Sequence, residues 1–258
     1  MVIGFYFGFR KKTVVAQLKI CYSEKTDQEI KTLTKQIYKE LAITCAEVFV
    51  FPDKYFDNRV EIVGMDLVDE VLAQGKGVIV VSAHFSNWEL GAKLLARKYG
   101  KIFGIIKKIK NPYFDDYINK SRVNAGIQTI NMKHALKHII HAIRNNQVIA
   151  VLVDQYAKRQ GVEMKFLGHD TMVYTSIAQM TLKYKVPVLM AFDVRDEYLQ
   201  HKIYYFNPNI NNELELTQEN IFEITKKING QIESFINNYP QLWFWVHRKF
   251  RKDLKRKT

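Results

Sequence analysis

Apolar and polar positions divide this chain into short elements of two kinds. Over residues 26–49, Ile30, Leu33, Ile37, Leu41 and Thr44 recur near helical spacing, which predicts a long helix. A shorter helix is expected over 66–74, ended by Gly75. Residues 77–82 (GVIVVS) form a continuous β-branched run bounded by glycine, the pattern of a strand buried on both faces of a parallel sheet. Residues 148–153 (VIAVLV) repeat it. Helices over 87–99, 112–124, 133–144, 176–185 and 217–239 are expected to alternate with strands over 102–106, 128–130 and 187–194. Residues 201–206 alternate weakly and read as an edge strand. This order predicts an α/β fold with a mixed, mostly parallel sheet flanked by helices and an N-terminal helical segment. The prolines are scattered and no repeat or Pro/Gly/Ser linker interrupts the pattern, so residues 1–258 read as a single domain.

Composition narrows the function classes. Hydrophobic residues make up 47% of the 258, enough for a sizeable core, and global disorder is excluded. Lys plus Arg is 39 against 26 Asp plus Glu, a net charge of +13. Such a surplus points to a polyanionic partner: nucleic acid, anionic lipid or a phosphorylated substrate. Two cysteines, Cys21 and Cys45, exclude a disulfide scaffold and a multi-cysteine zinc module. No run of 18 apolar residues encodes a complete membrane helix. Residues 1–9 (MVIGFYFGF) are wholly apolar and Arg10, Lys11 and Lys12 follow, the wrong order for a signal peptide. At the other end, 248–257 (RKFRKDLKRK) holds seven Lys/Arg and one Asp. Beside anionic lipid each such cation contributes about 1 kcal/mol, and nucleic acid is the rival target.

In open α/β sheets the reactive groups sit past the C-terminal ends of strands. Two apolar strands here end in polar clusters, Ser82 to Glu89 (SAHFSNWE) and Asp154 to Arg159 (DQYAKR). A turn between His84 and Glu89 could fold the carboxylate onto the imidazole and make His84 a general base. Equally, Ser86-x-x-Glu89 reads as a helix capping box, with His84 a satisfied strand-end histidine. Ser82 and Ser86 lack a nucleophile elbow, so base activation of a substrate hydroxyl is the direct reading. A zinc site has neither His-Glu-x-x-His nor a third ligand nearby.

His84-x-x-x-x-Glu89, as HFSNWE, resembles the His-x4-Asp/Glu motif of the glycerolipid acyltransferase superfamily. Its form is similar to that of the late acyltransferases of lipid A biosynthesis, the bacterial lauroyl/myristoyl transferases. Lys107 to Pro112 (KKIKNP), then Asp154-Gln155 with Phe166-Leu167-Gly168-His169 and Thr175, and last Trp245 to Phe250 (WVHRKF), resemble that family's later blocks in order. The resemblance implies a glycerolipid-acyltransferase-like fold and an O-acyltransferase that needs no metal or organic cofactor. It implies transfer of a fatty acyl chain from acyl carrier protein to a hydroxyl of a phosphorylated lipid A precursor. His84 would be the base and Glu89 its orienter. Substrate contacts would fall to Lys107, Lys110, Arg122, Asp154, Gln155 and Arg159, with Asp154 either orienting Arg159 or capping the following turn. Lysines at 107 and 108 replace the family's usual arginine, so bidentate phosphate recognition is not expected there. Under this reading, residues 1–12 are a short membrane-contact segment and 248–258 a basic tail. The protein is expected on the cytoplasmic face of the bacterial inner membrane, with an anionic membrane surface and no nucleic acid as partner. The alternatives are a lysophospholipid or other glycolipid acceptor with acyl-CoA as donor, and a non-catalytic basic lipid- or nucleic-acid-binding protein.

Overall fold

The two β-branched runs become neighbouring central strands. A computed structural model of the chain describes residues 8–132, 135–158, 161–196, 199–251 and 254. In chain order the described elements are α1 (Lys11–Cys21), α2 (Asp27–Phe49), β1 (Val60–Val63), α3 (Asp66–Leu72), β2 (Val78–Ser82), α4 (Trp88–Tyr99), β3 (Ile102–Ile106), α5 (Pro112–Asn124) and β4 (Ile127–Asn131). There follow α6 (Ala135–Arg144), β5 (Val148–Leu152), β6 (Gly161–Phe166), β7 (His169–Tyr174), α7 (Ser176–Tyr184), β8 (Val188–Arg195), β9 (His201–Phe206) and α8 (Gln218–Asn238).

Seven strands form one sheet in the order β1-β9-β8-β2-β5-β3-β4, and β6 and β7 make a separate hairpin. Every pairing in the large sheet is parallel except β8 with β9. This is the single α/β domain with a mostly parallel sheet that the pattern predicts. Both faces of the central strands are covered. Ile79 and Val81 point into a core shared with α1, α2, α6, α7 and α8, while Val78 and Val80 point into a second core against α3 and α4. That two-sided burial is why these strands are apolar at every position.

Three details depart from expectation. Strand 201–206 is not an edge: β1, which the pattern did not reveal, pairs beyond it. Burial alternates strictly along it, and the sequence pattern is weak because polar His201 lies on the buried side and apolar Phe206 on the half-buried side. The β6–β7 hairpin was also hidden in the sequence, because its Leu167–Gly168 turn lies inside the stretch read as a motif block. Finally, α4 is capped not by Ser86 but by Asn87, whose side chain accepts from the Leu90 N–H at 3.1 Å. No helix among the described residues is long and apolar enough to cross a membrane. The apolar start 1–7, and 252, 253 and 255–258 of the basic tail, lie outside the described residues.

Candidate active site

Parallel register builds the centre of the site. β2 and β5 pair with Ser82 opposite Leu152, and the Val153 N–H donates to Ser82 O. Two residues further along each strand, His84 and Asp154 leave the sheet side by side. His84 Nδ1 lies 2.8 Å from Asp154 Oδ1, and the Trp243 indole N–H donates to Asp154 Oδ2 at 2.9 Å. Asp154 is buried and His84 is partly open. Burial alone would raise the Asp154 carboxyl. The His84 charge and hydrogen bond, the Trp243 indole and the Lys249 ammonium outweigh it and hold it at about 2. An ionised carboxylate can only accept, so in the neutral imidazole the N–H sits at Nδ1 and the lone pair at Nε2, the tautomer a general base needs. The Gln155 amide stands 3.4 Å from Nε2, and Trp88 and Phe244 pack against the ring.

Glu89 is placed elsewhere. Its carboxylate takes a two-point grip from Arg122, with Nε at 2.9 Å and Nη2 at 2.5 Å, and also accepts from the Trp88 indole. No hydrogen bond joins Glu89 to His84, so the expected turn that would fold it onto the imidazole is replaced by the cross-strand partner Asp154. The reason is the helix start: with Asn87 as cap, Glu89 opens α4 facing α5. Arg122 is therefore half-buried against Glu89 rather than standing free in solvent. Lys107 and Lys110 are exposed on the loop after β3. Arg159 lies outside the described residues, as does His134. Among the described residues, Asp154 holds His84 and is itself held by Trp243.

The last motif block builds the floor. Phe244 N–H donates to His84 O, and Ser86 N–H to Leu242 O, so the loop after β2 is sewn to residues 242–244. The Tyr156 N–H donates to His247 Nε2 at 2.9 Å, and burial pushes His247 down to about 4, so it stands neutral. Lys249 is buried with its ammonium over the Phe166 ring, and burial lowers it to about 8 against the pull of Asp154 and Glu233. Trp243, absent from the expected site, is the residue that sequence reasoning missed; a tryptophan two positions before the recognised Trp245 was its only trace.

Behind the loop lies a buried ionic cluster. Asp193 accepts from the Asn87 N–H at 2.8 Å and flanks His201 Nδ1 at 2.9 Å. Glu47 accepts from Asn87 Nδ2 at 3.1 Å and Arg195 Nη1 at 2.5 Å, and lies 3.2 Å from His201 Nε2. Burial would lower His201, but its bonds to Asp193 and Glu47 prevail and raise it to about 9. The cluster holds Ser86, a non-glycine residue at φ +47°, in its left-handed conformation. An open groove of about 960 Å³ between α2 and β9 is lined by mixed charges including Arg59, Glu61 and Lys202 and does not reach His84. Beneath Trp88 a small apolar cavity of about 40 Å³ lies against Val80, Leu95 and Phe192.

A sequence model described as bacterial lipid A biosynthesis acyltransferase matches residues 2–252. The chain is similar to the lipid A biosynthesis lauroyltransferase of Escherichia coli (strain K12), at 23% identity over 94% of this chain and 79% of that protein. It is 19% identical to the lipid A biosynthesis palmitoleoyltransferase of the same organism, over 94% and 79%. It is also 20% identical to a phosphatidylinositol mannoside acyltransferase of Mycobacterium tuberculosis (strain CDC 1551 / Oshkosh), over 74% of this chain and 60% of that one. With the family match spanning nearly every residue from the first helix to the WVHRKF segment, the chain belongs to the bacterial lipid A biosynthesis acyltransferase family.

Proposed function

We propose that this protein transfers a fatty acyl chain from acyl carrier protein to a hydroxyl of a phosphorylated lipid A precursor at the cytoplasmic face of the inner membrane. The observation that carries the proposal is the His84–Asp154 pair at the mouth of the parallel sheet. Nε2 of His84 takes the proton of the acceptor hydroxyl as the oxygen attacks the thioester carbonyl. Asp154 stabilises the imidazolium that forms. Collapse of the tetrahedral intermediate breaks the carbon–sulfur bond, and the departing thiolate recovers the proton from Nε2. An ester and a free carrier thiol result, with atoms and charge balanced and with every proton moved by this chain's own residues. Glu89 holds Arg122 at the edge of the site, where its guanidinium and the exposed Lys107 and Lys110 can meet acceptor phosphate.

A second reading keeps the chemistry and changes the acceptor. Similarity to phosphatidylinositol mannoside acyltransferases favours another glycolipid. Purified protein given acyl carrier protein thioester and each acceptor in turn separates the two. Release of carrier thiol with ester formation on a lipid A precursor supports the first, and ester formation on a mannosylated phosphoinositide alone supports the second. His84→Ala should lower turnover by about 10²- to 10⁴-fold with either acceptor. Normal turnover by that variant would end the mechanism.

A further inference from the structure

α5 buries none of its residues. Half of the large apolar side chains that the described residues leave exposed fall between 109 and 136. Tyr113, 85% exposed, and Phe114 and Tyr117, each about half exposed, form an aromatic face on its first two turns. Phe114 and Tyr117 rest on Phe49 at ring distances of 5.4 and 5.5 Å, which joins the face to Val50 at the end of α2. The Ile109 N–H donates to Asp115 Oδ1 and folds the preceding loop, with Lys107, Lys108 and Lys110, onto the same helix. Register pairs Ile106 with Asn131, so Lys107 leaves the sheet beside the exposed Met132. Residues 107–120 carry four Lys and two Asp.

We infer that this aromatic and basic rim is the surface by which the protein sits on an anionic lipid bilayer. Tyrosine and phenylalanine interleaved with lysine suit the headgroup boundary, where rings sink and ammonium groups meet lipid phosphate. Helix geometry also fixes the relation to the site. Tyr113, Tyr117 and Lys120 share one side of α5, and Arg122 lies on the opposite side, gripping Glu89. β2, β3 and β4 run parallel, so the His84 loop, the lysine loop and Met132 all leave the same edge of the sheet. A bilayer against this rim would present its headgroups to His84. The inference rests on the acyltransferase reading for its purpose, but not for its measurement.

The test is sedimentation of the full chain with vesicles of phosphatidylcholine alone or mixed with phosphatidylglycerol, without donor or acceptor. Binding is expected only to the mixed vesicles and should weaken in high salt. The double variant Tyr113→Ser, Phe114→Ser should bind on the order of tenfold less. It should keep full turnover on detergent-dispersed acceptor. Because Phe114 touches Phe49, Tyr113→Trp gives a second measurement that disturbs no packing. Its added fluorescence, relative to the parent protein, should be quenched by brominated lipid in mixed vesicles. Equal vesicle binding by the double variant, or no quenching at position 113, would overturn the inference. So would a rim needed for binding acyl carrier protein but not vesicles. His84→Ala should bind vesicles normally, so failure of the chemistry and failure of the surface are read separately.

Discussion

At the scale of single residues, the site turns on which carboxylate meets an imidazole. Glu89 lies five positions from His84 in sequence, and Asp154 lies seventy away, yet Asp154 makes the bond. Local spacing identifies candidates, and strand register selects among them. Asp154→Asn should leave the ring in place but lose the charge that fixes the tautomer, lowering turnover by about 10²- to 10⁴-fold in a steady-state assay. Trp243→Phe removes the indole hydrogen bond to the same carboxylate while keeping an aromatic ring in its place. A loss of about tenfold in turnover with KM for the carrier thioester little changed is the expected result. Loss in KM alone would assign Trp243 to packing. His84 and Asp154 were both visible in sequence, each at the end of an apolar strand; their pairing was not.

At the scale of elements, the loop between β2 and α4 depends on a cluster that no motif predicts. Asp193 and His201 bond diagonally across the antiparallel β8–β9 pair, in which His201 lies opposite Arg195, and Glu47 completes the cluster from α2. His201 titrates near 9 in the fold against its ordinary 6.5, so the folded state binds the extra proton in that interval. Its contribution to stability is therefore full below pH 6.5 and is lost as pH rises through 9. Lys249, lowered from 10.5 to about 8, acts in the opposite sense at the upper end, stability from it rising between pH 8 and 10.5. Comparing the parent with His201→Gln isolates the histidine. In denaturant unfolding at pH 6.5 the variant should be less stable by about 3 kcal/mol or more, because two buried carboxylates lose a cation. The gap should narrow toward pH 9.

At the scale of the whole molecule, the N-terminal segment is tied to the last motif block by Arg10, which donates to Val246 O at 3.0 Å, and above all by the buried Gln17. Gln17 of α1 is buried, donates to Trp245 O at 2.7 Å and His247 O at 2.9 Å, and accepts from the Lys249 N–H at 2.8 Å. These bonds satisfy backbone groups of the very segment that carries Trp243, Phe244 and His247 to the site. Gln17→Leu strips Trp245 O of this buried partner and leaves the Lys249 N–H and His247 O only their bond to each other at 3.1 Å. A loss of about 3 kcal/mol in unfolding free energy is expected, together with reduced turnover although residue 17 contacts no substrate group. A variant as stable and active as the parent would show that the segment is held by its apolar packing alone.

The sequence by itself determined the fold class, the central strands, most helix positions and the candidate His84. These follow from local periodicity, from β-branched runs that only a doubly covered strand tolerates, and from motif order. It also marked the rim lysines Lys107 and Lys110, though as expected substrate contacts rather than as part of a membrane surface. Tertiary structure alone decided that Asp154 rather than Glu89 meets His84, that Trp243 supports it, and that Glu89 takes Arg122 instead. Only the fold, too, turned β9 inward by pairing β1 beyond it, and left the aromatic side of α5 exposed while Arg122 turned in to Glu89. The reason is the same in each case. Burial pattern is written in neighbouring residues, whereas a hydrogen bond between side chains seventy residues apart depends on which strands pair and in what register.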